Sequence, residues 1–171
     1  MDKNRHSRDI LNKLYQFVMT RLQNFNFILF YGSLLGFIRE GDFIENDDDI
    51  DLLLPIRDRA KLINKLQELG LKITVNELSI IQFVVENLGH IDIYFYEDRN
   101  TDILIKWDGN LLFSKNDIWP LIRTKFKNFF INIPYNSEKI LQETYGSNWK
   151  TPLQKDSYDW NLITNVRKLY D

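Results

Sequence analysis

At 171 residues, 44% apolar and 14% aromatic, the chain has the size and composition of one packed domain, which excludes a largely disordered one. A formal net charge of −2 excludes the basic footprint of a nucleic-acid binder, so no nucleic-acid partner is expected. The absence of cysteine excludes disulfides and thiolate metal sites and makes a reducing cytoplasm the expected compartment.

The N-terminal stretch MDKNRHSRDILNKLYQF carries charge where a signal peptide needs an apolar segment. Ile10, Leu11, Leu14, Phe17, Val18 and Leu22 then fall at helical spacing, predicting a helix over 8–24 with one buried stripe. FNFILFYG reads as a short buried strand ending at Gly32. Ser33 is the expected N-cap of a short helix, LLGFIRE, that Gly41 ends. DIDLLLP is a strand closed by Pro55, and RDRAKLINKLQELG is a helix stopped at Gly70.

LKITV, SIIQFVV and HIDIYFYE are rich in β-branched and aromatic residues and predict a meander. DILIKW and NLLF suit a hairpin around Asp108–Gly109, and DIWPLIRTKFKNFFINIPYN mixes loop and strand. SEKILQETYG is a helix with Ser137 as the expected N-cap, and a polar tail follows Pro152. The longest apolar runs are far short of the roughly 20 residues that span a bilayer, so no transmembrane segment is expected; peripheral contact with the inner membrane face stays open. No repeat or linker divides the chain, so a single α+β domain over 1–171 is the reading.

Between Asp42 and Asp51 stand six acidic residues and no basic one. Carboxylates this close raise one another's pKa and cost stability unless something positive sits among them. On a strand, i and i+2 share a face roughly 6.6 Å apart, so Asp49 and Asp51 point together while Ile50 points to the core. Two such carboxylates suit a hard cation. Asp92, inside the apolar alternation HIDIYFY, offers a third; the competing reading is a solvent-facing aspartate on an edge strand. An EF-hand is excluded, because Leu52 and Asp58 stand where that loop needs glycine and glutamate.

Upstream, Gly32-Ser33 at the start of a helix can bring backbone N–H groups to a phosphate, and Arg39 can clamp a phosphate oxygen. The order strand, Gly-Ser, short helix, Asp-x-Asp on a strand, then a later strand aspartate matches the plan of the nucleotidyltransferase superfamily, a small mixed sheet flanked by helices. His90 shares the face of Asp92 and can line the site, although a satisfied surface histidine is the expectation. Tyr145 and Trp149 read as packing residues.

Within that superfamily the chain resembles the LicD family, which includes phosphocholine transferases of bacterial surface glycans and fukutin-type ribitol-phosphate transferases. Gly32-Ser33-Leu34-Leu35-Gly36 with Arg39, then Ile44-Glu45-Asn46-Asp47-Asp48-Asp49-Ile50-Asp51, carry the resemblance, with Glu45-Asn46 where the family has Pro-Trp. Pro120, Leu121 and Phe126, the segment INIPYN, and LQETYGSNWKTP extend it over roughly 28–152.

The resemblance implies metal-dependent transfer of a phospho-alcohol, phosphocholine foremost, from a CDP-activated donor such as CDP-choline to a sugar hydroxyl, releasing CMP. The acceptor would be a glycan or glycolipid of lipopolysaccharide or capsule biosynthesis. It assigns Asp49, Asp51 and Asp92 as ligands of Mg²⁺ or Mn²⁺, with Asp92 alternatively the catalytic base, and Gly32, Ser33, Arg39 and Asp48 to the substrate. Asp47 or Asp48 can hold an outer water or orient the strand. Two other functions remain open: a nucleotidyltransferase moving a nucleoside monophosphate onto a small molecule or protein, and an inactive binding module.

Overall fold

A computed structural model describes residues 8–107 and 111–153 together with a short strand at 167–168. Helix α1 (Arg8–Arg21) ends three residues before the expected 24 and buries Leu11, Leu14 and Val18 of the predicted stripe together with Tyr15. Strand β1 (Ile28–Leu29) leads into α2 (Tyr31–Glu40), and β2 (Asp49–Pro55) follows a loop. A 3₁₀ turn (Ile56–Asp58) and α3 (Arg59–Glu68) lead to β3 (Lys72–Asn76), β4 (Ile80–Val85) and β5 (Gly89–Asp98). Then come β6 (Asp102–Ile105), β7 (Leu111–Ser114), α4 (Lys115–Ile118), β8 (Ile122–Phe126), β9 (Phe129–Ile133), α5 (Ser137–Tyr145) and β10 (Arg167–Lys168). This is an α+β fold.

Among the described residues ten strands form one mixed sheet, eight of them in the order β10-β7-β6-β5-β2-β1-β9-β8. The first half of β5 also pairs with β4, and β4 with β3, giving the antiparallel meander that the sequence predicts. At the centre, β2 and β5 run parallel from Asp49↔His90 to Pro55↔Tyr96. Beyond Asp49 every β2 residue is buried, as expected of a strand covered on both faces. α1 and α2 both pack against β2.

Several expected boundaries change, among them the start of α3, which a 3₁₀ turn moves from Arg57 to Arg59. The strand expected over FNFILFYG has a ladder of only two residues, because Tyr31 (φ 38°) already opens α2. Ser33 is therefore not an N-cap; it lies inside the first turn, and Phe30 holds the cap position without a side-chain bond. Ser137 is likewise the first residue of α5 rather than its cap, which is Asn136; its Oγ donates to the Pro134 carbonyl at 2.7 Å. Gly41 ends α2 in the left-handed region as expected. β6 and β7 pair as the expected hairpin, while Asp108–Gly109 and the tail from 154 lie outside the described residues, β10 excepted.

The loop between α2 and β2 is pinned by aromatic packing. Phe43 meets Tyr15 and Phe126 at ring distances of 5.6 and 4.9 Å, and Phe37 meets Phe126 at 5.0 Å. Lys127 pairs with Asp42 at 2.5 Å, and Arg8 donates to the Phe43 carbonyl at 2.8 Å and pairs with Glu45 at 3.4 Å. Asp42 and Glu45 of the acidic stretch thus find distant basic partners. Gly36 permits the close approach: a Cβ there would stand 2.6 Å from the Asp42 carbonyl oxygen and 2.8 Å from the Ile44 nitrogen.

Candidate active site

The parallel register of β2 and β5 sets Asp51 directly beside Asp92, and Asp49 beside His90. Alternation sends Asp49, Asp51, His90, Asp92 and Tyr94 to one face, and Ile50, Ile91 and Ile93 to the other. On the far side of β5, Gln82 of β4 stands opposite Asp92, so Gln82, Asp92 and Asp51 form one row across three strands. Asp51 and Asp92 are 6% and 7% exposed. β5 is interior to the sheet, which excludes the edge-strand reading of Asp92.

The first turn of α2 is bonded to Asp51 twice. The Gly32 N–H donates to Asp51 Oδ2 at 2.9 Å, and the Asp51 N–H donates to Ser33 Oγ at 3.0 Å. A Cβ on residue 32 would lie 3.0 Å from Asp51 Oδ2 and 3.3 Å from Asp47 Oδ2, so a side chain there would push these carboxylates back by a few tenths of an ångström. Gly32 and Ser33 thus hold the metal-candidate strand against α2.

Asn46 turns the loop with φ 63°, and the Asp48 N–H donates to Asp47 Oδ1 at 3.1 Å. Among the described residues two overlapping groups result, each with ligand atoms mutually within 4.8 Å: Asp49, His90 and Asp92, and Asp47, Asp48 and Asp49. Asp49 belongs to both. The expected trio of Asp49, Asp51 and Asp92 is thus brought to one place, but His90 takes the close position while Asp51 keeps one oxygen on Gly32.

These residues suit a divalent cation. Burial, then the charges of Asp49, Asp92 and Asp47, push the Asp51 carboxyl well above the usual range, with the Gly32 N–H opposing. Burial raises Asp92 to about 6 against the hydrogen bond from Gln82. His90 is raised by the Asp49 carboxylate, 3.6 Å from its Nε2, with burial opposing. Burial also pushes the Tyr94 hydroxyl up, helped by Asp51 and Asp92. A bound cation would satisfy several of these oxygens and hold them ionised.

Arg39 sits in the last turn of α2, where its Nη2 and Nε donate to Glu40 Oε1 at 2.8 and 3.1 Å. Residue spacing sets it about 10 Å along the helix from Gly32 and Ser33, which touch Asp51. Trp149 is buried in the core, in line with a packing role. Two residues of the site escape the sequence reading: Gln82, whose signal is a polar break in SIIQFVV, and Tyr94, two positions beyond Asp92. Tyr94 packs edge-on against Tyr31 at 4.7 Å and Trp107 at 5.7 Å.

Comparison with solved structures places the fold. The lincomycin-bound lincosamide antibiotic adenylyltransferase LnuA superposes with a TM-score of 0.60 at 20% identity, over 94% of this chain and 98% of that one. The antibiotic-resistance factor ANT(2'')-Ia follows at 0.56 and 14%, over 92% and 78%. Among curated proteins, the mouse (Mus musculus) ribitol-5-phosphate transferase FKTN is 26% identical over 150 residues, 78% of this chain and 31% of its own length. An uncharacterised protein of Rickettsia typhi is 26% identical over 145 residues, 80% of this chain and 46% of its own. The chain therefore spans less than half the length of these curated relatives. No helix among the described residues is long and apolar enough to cross a membrane. Residues 24–136, which hold the Gly-Ser turn, the acidic loop, the row on β2 and β5 and both close groups, match the LicD/FKTN/FKRP nucleotidyltransferase-domain model, and the chain belongs to that family.

Proposed function

We propose that the protein transfers a phospho-alcohol from a CDP-activated donor to a sugar hydroxyl of a glycan or glycolipid, releasing CMP. The observation that carries this reading is the Asp51–Asp92 row, with Asp49 beside it, inside the segment that matches the family. An inactive binding module would have little reason to keep three carboxylates together at the cost that the raised pKa values of buried Asp51 and Asp92 record.

Asp49, Asp92 and His90, with Asp51 or Asp48 beside them, would hold Mg²⁺ or Mn²⁺. Such a cation neutralises the charge of the diphosphate and its leaving oxygen. The residues supply the rest. Gly32 and Ser33 fix Asp51 on α2, and Arg39 would grip a phosphate oxygen after leaving Glu40. Asp92 receives the acceptor proton as the hydroxyl oxygen bonds to the phosphorus distal to cytidine; the bond from that phosphorus to the CMP oxygen breaks, and CMP leaves.

Phosphocholine is the head group we favour, because Trp107, partly buried and packed on Tyr94 of the β5 face that carries Asp92, offers aromatic surface of the kind quaternary ammonium groups prefer. The relative named for ribitol-5-phosphate makes a polyol phosphate the other candidate. A cysteine-free chain fits action in the cytoplasm, on acceptors at the inner membrane face.

Thermal protection tests the reading. CDP-choline or a CDP-polyol should raise the melting temperature in Mg²⁺, ATP should raise it less, and EDTA should abolish the shift. Strong protection by nucleoside triphosphates with none by any CDP-alcohol would replace this function with nucleotide addition, the reaction in which pyrophosphate leaves.

A further inference from the structure

We propose that Gln82, itself held by Thr74, is a positioning residue that orients Asp92 toward the cation, an inference that rests on the metal reading above. Gln82 is a polar side chain in a strand otherwise built of Ile80, Ile81, Phe83, Val84 and Val85, and it stands directly opposite Asp92. Its Nε2 donates to Asp92 Oδ1 at 2.9 Å. Its Oε1 accepts from Thr74 Oγ1 at 2.9 Å, shorter than the 3.3 Å from the same hydroxyl to the Gln82 carbonyl oxygen.

The two bonds work together. An amide has one acceptor end and one donor end, and the wrong end toward a carboxylate is repulsive. The Thr74 hydroxyl, donating to Oε1, favours the orientation that turns the donor end to Asp92. A β-bulge supplies the hydroxyl: the ladder passes from Ile73↔Phe83 to Val75↔Gln82, so Thr74 and Val75 both stand opposite Gln82. Bulges beside functional sites commonly re-aim one side chain in this way. With Oδ1 engaged, the Asp92 carboxylate cannot spin freely, and it is held in place beside Asp49 and His90, its partners in the close group.

Outer partners of metal-ligating groups typically change metal affinity or activity by about 10–100-fold when removed. Gln82→Met keeps the length of the side chain and deletes the amide, and should weaken Mn²⁺ binding by about that factor. Thr74 is exposed, so Thr74→Val should leave the metal-free melting temperature unchanged yet weaken Mn²⁺ binding several-fold, while Thr74→Ser, which keeps the hydroxyl, should bind as the parent does. The free-Mn²⁺ electron paramagnetic resonance signal, read during titration of each metal-free protein, measures this without any turnover. If the parent binds Mn²⁺ and all three variants match it, Gln82 is an ordinary strand residue and the positioning role is overturned with the metal reading intact. A parent that binds no Mn²⁺ overturns both.

Discussion

Asp51 of β2 and Asp92 of β5 are direct partners across a parallel strand pair, so two buried carboxylates leave the sheet side by side in the same row. Asp51→Asn keeps an oxygen that can accept from the Gly32 N–H while it removes a charge opposed by Asp49, Asp92 and Asp47. Transfer activity and Mn²⁺ binding should therefore fall by at least about two orders of magnitude, as expected when metal-borne charge stabilisation is lost. Melting of the metal-free protein should stay level or rise. Asp49→Asn should behave alike. CMP release and scanning calorimetry check both, and full activity in either variant would remove that aspartate from the catalytic set.

Gly32 and Gly36 lie one turn apart on α2 yet should fail in different ways. Alanine at 32 gains helix propensity but sets a methyl 3.0 Å from Asp51 Oδ2, so it should disturb cation binding with little loss of stability. Alanine at 36 meets backbone atoms at 2.6 and 2.8 Å that belong to the loop carrying Phe43, and should destabilise by about 1–3 kcal/mol. Urea melts beside Mn²⁺ titrations separate the two effects.

The metal-free protein should be more stable at pH 5 than at pH 7 through this site. Asp92 titrates at about 6 when folded, above the ordinary carboxylate value, so its contribution is complete below the unfolded pKa and is lost as pH rises through 6. His90, also raised, acts with the same sign. Asp92→Asn should shrink the difference between melting temperatures at the two pH values, and Mg²⁺ at pH 7 should restore stability. An undiminished difference in Asp92→Asn would assign the pH dependence to other groups.

Arg39→Lys keeps the charge and loses the planar fork. If Arg39 leaves Glu40 for the donor phosphates, the lysine variant should bind CDP-alcohols about tenfold more weakly, the scale of one lost charge-assisted hydrogen bond. Calorimetric titration reads this directly, and equal affinities would leave Arg39 as the partner of Glu40 alone.

The order of elements and the facing of Asp49 and Asp51 were legible because β-branched runs and the two-residue repeat are local signals. The start of α2 was not, since the backbone turn at Tyr31 leaves no composition mark and moves Ser33 inside α2. The four-residue α4 is too short to show a period. What local pattern could not reveal is register. That His90 meets Asp49, that Asp92 meets Asp51 and that Gln82 extends the row all depend on pairings between distant segments.

The parallel joint of β2 to β5 also orders how the site comes into being. The β3–β4–β5 meander closes through short turns, whereas β2 must reach β5 across the whole of α3 and that meander. Non-local pairings of this kind bear a larger closure entropy and form late. The crowded carboxylates thus meet only when that closure is made, and the meander can fold without their repulsion. A divalent cation that binds the closed site alone should then slow unfolding while leaving the folding rate nearly untouched.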